Sequence, residues 1–267
     1  MLKLIHNDFN LGVTLDSGQV FGFVKGDDGC YSGNMNGGAV QIWQKGSQVC
    51  VESSHDITKD FIQEYFDLNR DLSPVYSFLK EDLKLTPALT SFRGLRLIRQ
   101  NSWEALVCFI ISSNNNVKRI QGIWKNLFSY YQGFPTAKQI AGTHERILRE
   151  LGLGYRAPFL LRTAQFISRN EFCLEYVREL PYEEAKERVL SFPGIGPKVA
   201  DCVLLFGFQK FEAFPVDVWI LRVMRKLYFN NRKIPEDKVH VFGQKRWGSH
   251  AGYVQQYLFH AAKNGIL

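Results

Sequence analysis

The thirteen residues from Leu190 to Cys202, LSFPGIGPKVADC, suit contact with a polyanion and also carry a group able to do covalent chemistry. Gly194 and Gly196 stand two apart, which permits a tight hairpin whose backbone comes close to another molecule. Pro197 is placed to open a following helix, and the amides at a helix start form an anion site suited to a DNA phosphate. Lys198 then falls in the first helical turn, where the macrodipole disfavours an ammonium by about 0.3–1 kcal/mol, less than one pKa unit. The dipole alone does not make an amine nucleophilic, so desolvation in a closed site has to supply the rest. Taken by itself, the hairpin reads more simply with Lys198 as a phosphate contact, a use that needs no catalysis.

Nineteen residues further on comes FPVDVWILR, with Asp217 ahead of an apolar run. A carboxylate there caps the helix. It can also assist a cationic transition state at a deoxyribose carbon as a base departs. The two roles are compatible, because a capping bond fixes the side chain.

These groups need a scaffold, and the sequence divides into two parts. Segments 20–25, 39–44 and 48–53 are β-branched or aromatic with partial alternation. Turn residues Asp27-Asp28-Gly29, Asn36-Gly37-Gly38 and Lys45-Gly46-Ser47 separate them, favouring an antiparallel meander. From Asp56 the pattern turns helical, and Ser73-Pro74 and Thr86-Pro87 read as a cap followed by a first helical residue. Further helices are expected from Asn101 or Ser102, from a Thr143 cap to Gly152, from Pro181, from Pro197 through Phe206, from Asp217, from Pro235, and over Ala251 to Lys263. The fold class is therefore α+β: an antiparallel lobe over residues 1–87 and a helical body over 88–267, divided near 84–92.

Charge follows the same division. Residues 1–87 hold 7 Lys/Arg against 12 Asp/Glu, a net of −5, and residues 88–267 carry a net of +12. A basic body beside an acidic lobe suits a polyanionic partner, although an ordinary solvated surface explains the charge equally well. No apolar run is long enough for a membrane span, and MLKLIHNDFN lacks the pattern of a secretion signal. The cytosol is the expected location, with the nucleoid in a bacterium or the nucleus in a eukaryote. The 5 cysteines are widely spaced with no CxxC pair, so neither zinc nor an iron–sulfur cluster is indicated and reduced, mostly buried thiols are expected.

The glycine hairpin, the lysine after it and the downstream Pro-Val-Asp together resemble the helix-hairpin-helix–Gly/Pro–Asp superfamily of DNA glycosylases. Within it the chain is similar to 8-oxoguanine DNA glycosylases of the eukaryotic type, which also occur in some bacteria and archaea. The blocks SSNNNVKRI (112–120), LGLGYRAPF (151–159), AGYVQQYLF (251–259) and SGQVF (17–21) extend the likeness over essentially the whole chain.

The resemblance implies that Lys198 attacks the anomeric carbon and forms a Schiff base, with Asp217 as the essential aspartate. It implies a flipped base stacked between Phe259 and the Cys202 side, with Gln255 reading its edge. It also implies that the Gly18 carbonyl accepts the imidazole N–H that distinguishes 8-oxoguanine from guanine. A buried acceptor–acceptor mismatch costs about 1–3 kcal/mol, so other steps must add selectivity. Asn114 matches the residue that fills the vacated gap and Tyr155 the wedge. Arg119 and Arg156 match arginines that address the partner base. Gly194 and Gly196 would meet a phosphate, and the carbonyls of Leu190, Phe192 and Ile195 would hold a structural cation against it.

Read without the family, Tyr155 is a loop or core residue, Asn114 a helix-end cap and Phe259 core. Two positions depart from the family pattern. Trp219 replaces a histidine two residues after the aspartate, which changes the local phosphate or base-pocket contacts. Phe206 stands where relatives strict about the partner base often carry methionine, which bears on the preference for cytosine.

The expected activity is base excision followed by β-elimination on duplex DNA containing an oxidised purine, by a monomer, without cofactor or catalytic metal. The rival readings are a glycosylase for an alkylated purine and a non-catalytic hairpin protein that binds DNA.

Overall fold

A computed structural model describes residues 1–267. The chain begins with β1 (Leu2–Ile5), α1 (Leu11–Asp16), β2 (Val24–Lys25), β3 (Tyr31–Met35), β4 (Gly38–Lys45) and β5 (Gln48–Ser53). The strands form one antiparallel sheet in the order β1-β5-β4-β3-β2. Asn36 and Gly37, at φ 50° and 80°, close the β3–β4 hairpin, the backbone that an Asn-Gly turn favours. Alternate strand residues Met35, Val40, Ile42, Val49 and Val51 point into a small core shared with Phe9, Ile62 and Phe66.

The strand expected over 20–25 is reduced to Val24–Lys25, because Phe21 and Phe23 are buried in two different cores. β1 and β3 were not expected. β3 reads YSGNM, whose glycine and asparagine are weak strand formers held by pairing on both sides.

The helices follow in order: α2 (Lys59–Tyr65), α3 (Ser73–Glu81), α4 (Thr86–Phe92), α5 (Ser102–Ser112), α6 (Val117–Tyr131), α7 (Ala137–Ala141), α8 (Glu145–Leu148), α9 (Ala157–Ser168), α10 (Leu174–Glu179), α11 (Tyr182–Leu190), α12 (Pro197–Phe208), α13 (Val218–Tyr228), α14 (Glu236–Trp247) and α15 (Ala251–Lys263). The buried faces of α3 to α15 make one large core, which includes Val75, Leu79 and Leu89 from α3 and α4, while Ile62 of α2 belongs to the small one. α5, buried from Ala105 to Ile111, packs on α12, buried from Val199 to Phe208. Lys198 stands in the first turn of α12, at one end of this packed pair.

Three expected caps differ. Helices α3 and α4 begin at Ser73 and Thr86 themselves, without a side-chain cap. His144, not Thr143, caps α8, because the Thr143 hydroxyl is engaged with Gln139 O and the Tyr131 hydroxyl. The expected caps at Asn101 and Asp217 are present. No helix is long and apolar enough to cross a membrane.

Candidate active site

The glycine hairpin leads directly into α12. Gly194, at φ 78°, has the Phe159 ring where a Cβ would stand, at 2.4 Å, so only glycine fits. Gly196 precedes α12 and faces open space, leaving its backbone accessible. Both glycines are exposed, and only at Gly194 would a side chain collide with its neighbour. Phe192 O accepts from Ile195 N at 3.3 Å, while the Leu190 and Ile195 carbonyls take no backbone hydrogen bond.

Lys198, in the first turn of α12, is part-buried and lines a cavity of about 610 Å³. Its Nζ lies 5.7 Å from the centre of the Phe109 ring. Asp217, Cys202, Gly18, Gln255, Phe259 and Asn114 line the same cavity. Residues separated by almost the whole chain are therefore brought to one space.

Asp217 combines both roles read from its sequence context. Its Oδ1 accepts from Trp219 N at 3.0 Å and Ile220 N at 2.8 Å, which fixes the carboxylate at the start of α13. No hydrogen bond engages Oδ2, so one oxygen caps and the other is left for the cavity. Burial raises the Asp217 carboxyl above its ordinary range, against the opposing pull of the two amides and of Lys198. Burial likewise pushes the Cys202 thiol up to about 11, with Lys198 opposing, so Cys202 is a neutral, polarizable wall.

Gly18 sits at φ 81°, where an added Cβ would lie 3.3 Å from Phe259 Cε1. Its neighbours are tied down. Gln256 Nε2 donates to Ser17 O at 2.9 Å. The Gln19 amide donates to Thr14 O, Ser17 Oγ and Arg96 O and accepts from Ile98 N. The Gly18 carbonyl is thus carried between two anchored residues. Gln255 donates from Nε2 to Pro215 O at 3.1 Å, while its Oε1 is buried without a partner. An acceptor orphaned in a cavity wall costs stability unless something else satisfies it.

The residues of the two loops lie together at the rim. Asn114 is exposed, with a left-handed backbone at φ 47°. A π-type turn over Arg149–Leu153, with Gly152 at φ 101°, and a tight turn over Gly154–Arg156 bring the next loop against it. Tyr155 is 49% exposed and donates to Ser113 O at 3.2 Å. Arg156 is buried, giving Nε to Ser113 O and Nη2 to Asn114 O, both at 2.8 Å. Arg119 is exposed on the first turn of α6.

One cavity residue, Phe109, carried no sequence signal. Phe109 belongs to a helix that is apolar on all sides, so nothing singled it out. Phe206 stacks on Phe109 with ring centres 5.3 Å apart, and Arg222 lies over the Trp219 ring at 5.3 Å. A larger cavity of about 750 Å³, around Trp103 and Glu104, includes neither Lys198 nor Asp217.

Known proteins give this geometry a context. Residues 1–106 match the family of the 8-oxoguanine DNA glycosylase N-terminal domain, and residues 107–249 match HhH-GPD superfamily base excision DNA repair proteins. A protein of Methanothermobacter thermautotrophicus named "Probable N-glycosylase/DNA lyase" is 35% identical, over 81% of this chain and 79% of its own. The N-glycosylase/DNA lyase of Saccharomyces cerevisiae is 30% identical, over 77% of this chain and 67% of its own. The 8-oxoguanine glycosylase/lyase of Clostridium acetobutylicum, solved with double-stranded DNA containing cytosine opposite 8-oxoG, superimposes with a TM-score of 0.91 at 31% identity, covering 100% of this chain and 99% of that one. The chain belongs to the HhH-GPD superfamily of base-excision DNA-repair proteins and carries the N-terminal domain of the 8-oxoguanine DNA glycosylases.

Proposed function

We propose that this chain excises 8-oxoguanine from duplex DNA and then cleaves the strand at the abasic sugar. One observation carries the reading: Lys198 and Asp217 line a single cavity with Gly18, Cys202, Gln255 and Phe259. The names of the relatives and the lesion DNA in the clostridial structure support the substrate class.

In this mechanism the flipped base lies between Phe259 and Cys202, and the unpartnered Gln255 Oε1 accepts from its edge. The Gly18 carbonyl accepts the imidazole N–H that guanine lacks. Lys198 Nζ attacks C1′ as the bond to the base breaks; the electron pair of that bond leaves with the base, which takes up the proton that the amine gives up. Asp217 Oδ2 stabilises the positive charge that develops on the sugar. Ring opening gives an iminium linkage to Lys198. Loss of a C2′ proton then expels the 3′ phosphate, and water releases the enzyme.

Asn114 fills the vacated space and Tyr155 wedges the stack. Arg119 and Arg156 address the partner base, and the amides at Gly194 and Gly196 take a flanking phosphate. The carbonyls of Leu190, Phe192 and Ile195 would hold a structural cation; those of Leu190 and Ile195, free of backbone bonds, fit such a role, whereas that of Phe192 is taken by Ile195 N. Every group comes from one chain, so the reading requires no second copy.

Borohydride trapping on duplex DNA containing 8-oxoguanine tests the reading. The native chain is expected to give a covalent adduct and Lys198→Gln none. Equal excision of methylated purines would point to the other substrate class, and an unchanged adduct in Lys198→Gln would refute the assignment.

A further inference from the structure

Asp201 is buried on α12, three residues after Lys198, at 2% exposure. Its carboxylate receives two donors from α11 and stands beside an imidazole of α14. The Tyr182 hydroxyl lies at 2.6 Å, Lys186 Nζ at 3.0 Å and His240 Nδ1 at 3.3 Å. His240 Nδ1 is also 2.9 Å from Phe214 O, and its Nε2 is 3.1 Å from Lys186 Nζ. The imidazole thus lies between the Phe214 carbonyl on one side and the Lys186 amine on the other.

The position of this cluster gives it a consequence for the chemistry. Phe214 begins the segment that runs through Pro215 and Val216 to Asp217. His240 holds its carbonyl, and Gln255 holds that of Pro215. The same imidazole that tethers the Asp217 segment is linked through Lys186 Nζ to a carboxylate one turn beyond Lys198 and stands 3.3 Å from it. Lys186, Asp201 and His240 also line a second cavity, of about 710 Å³, together with Lys198. An apolar packing of similar shape would hold helices together at lower desolvation cost than a buried ion pair. What the polar cluster adds is direction, since hydrogen bonds fix where α12 and the Asp217 segment stand relative to each other.

We propose that His240 and Asp201 are positioning residues, which set the mutual placement of Lys198 and Asp217 for base excision. The proposal rests on the catalytic roles given above to Lys198 and Asp217.

The test uses the full chain, single-turnover excision of 8-oxoguanine, and affinity for a duplex carrying a tetrahydrofuran abasic analogue. His240→Leu is expected to slow excision about tenfold or more while leaving duplex affinity within about twofold, because small misplacement of reacting groups costs rate rather than binding. His240→Asn retains a donor for Phe214 O and is expected to recover most of the rate. A native rate in His240→Leu would overturn the proposal. So would a parallel loss of rate, affinity and melting temperature that His240→Asn does not recover.

Should His240→Leu not fold, Tyr182→Phe removes one hydroxyl from Asp201 and is read by the same criterion. Lys198→Gln run alongside separates the two failures. If trapping is lost there while His240→Leu keeps the native rate, only the positioning role falls. If trapping survives in Lys198→Gln, the underlying catalytic assignment falls.

Discussion

Arg156 donates from Nη2 to the backbone carbonyl of Asn114 at 2.8 Å. The arginine expected to address the partner base therefore also fixes the loop that presents the residue expected to fill the gap. With Nε held by Ser113 O, the guanidinium spans two successive carbonyls from a buried position. Lysine offers a point charge and not a planar fork. Arg156→Lys is expected to lose about 1.5–3 kcal/mol of stability in urea denaturation, and to slow excision by releasing Asn114. Native stability would mean that the fork is dispensable to this loop.

Asp217→Asn separates capping from charge. Asparagine caps a helix about as well as aspartate, so the melting temperature should change little. Single-turnover excision should fall about a hundredfold or more, because the developing charge on the sugar loses its carboxylate. A parallel collapse of melting temperature would mean that the residue acts mainly through the fold.

Gly18→Ala introduces a methyl at φ 81° and 3.3 Å from Phe259 Cε1. Left-handed backbone costs a side-chain-bearing residue about 1–2 kcal/mol, and Phe259 must also give way. The expected result is a lower ratio of 8-oxoguanine to guanine excision, measured on matched duplexes. An unchanged ratio would remove Gly18 from lesion discrimination.

Tyr155→Ala removes an aromatic ring that is half exposed at the cavity rim. Extrusion should slow while overall duplex affinity is spared, since phosphate contacts dominate binding. Stopped-flow fluorescence of a reporter base beside the lesion would reveal it. An unchanged extrusion rate would count against the wedge.

Burial pushes the Glu104 carboxyl up to about 7, from an ordinary 4.5. A carboxyl raised in the folded state favours the fold when protonated. Its contribution is intact below about 4.5 and is lost as pH rises through about 7. Glu104→Gln should therefore raise the melting temperature at pH about 8 and alter it little near pH about 5. An equal shift at both values would contradict the assignment.

Sequence alone determined the features governed by local chemistry. Pro181, Pro197 and Pro235 announced their helices, Asp217 its cap, and Asn36-Gly37 its turn, because each depends on backbone angles and hydrogen bonds within a few residues. The glycine pair and the lysine after it pointed to DNA on the same footing.

Tertiary structure decided the rest. Strand β3 exists because neighbours pair with it on both sides. Phe109 became a cavity wall only when α5 lay along α12. The Tyr182–Lys186–Asp201–His240 cluster joins three helices whose sequence positions bear no periodic relation. Burial is a property of the assembled chain. It took the packed core to raise the Asp217 carboxyl and to bring it and Lys198 to one cavity.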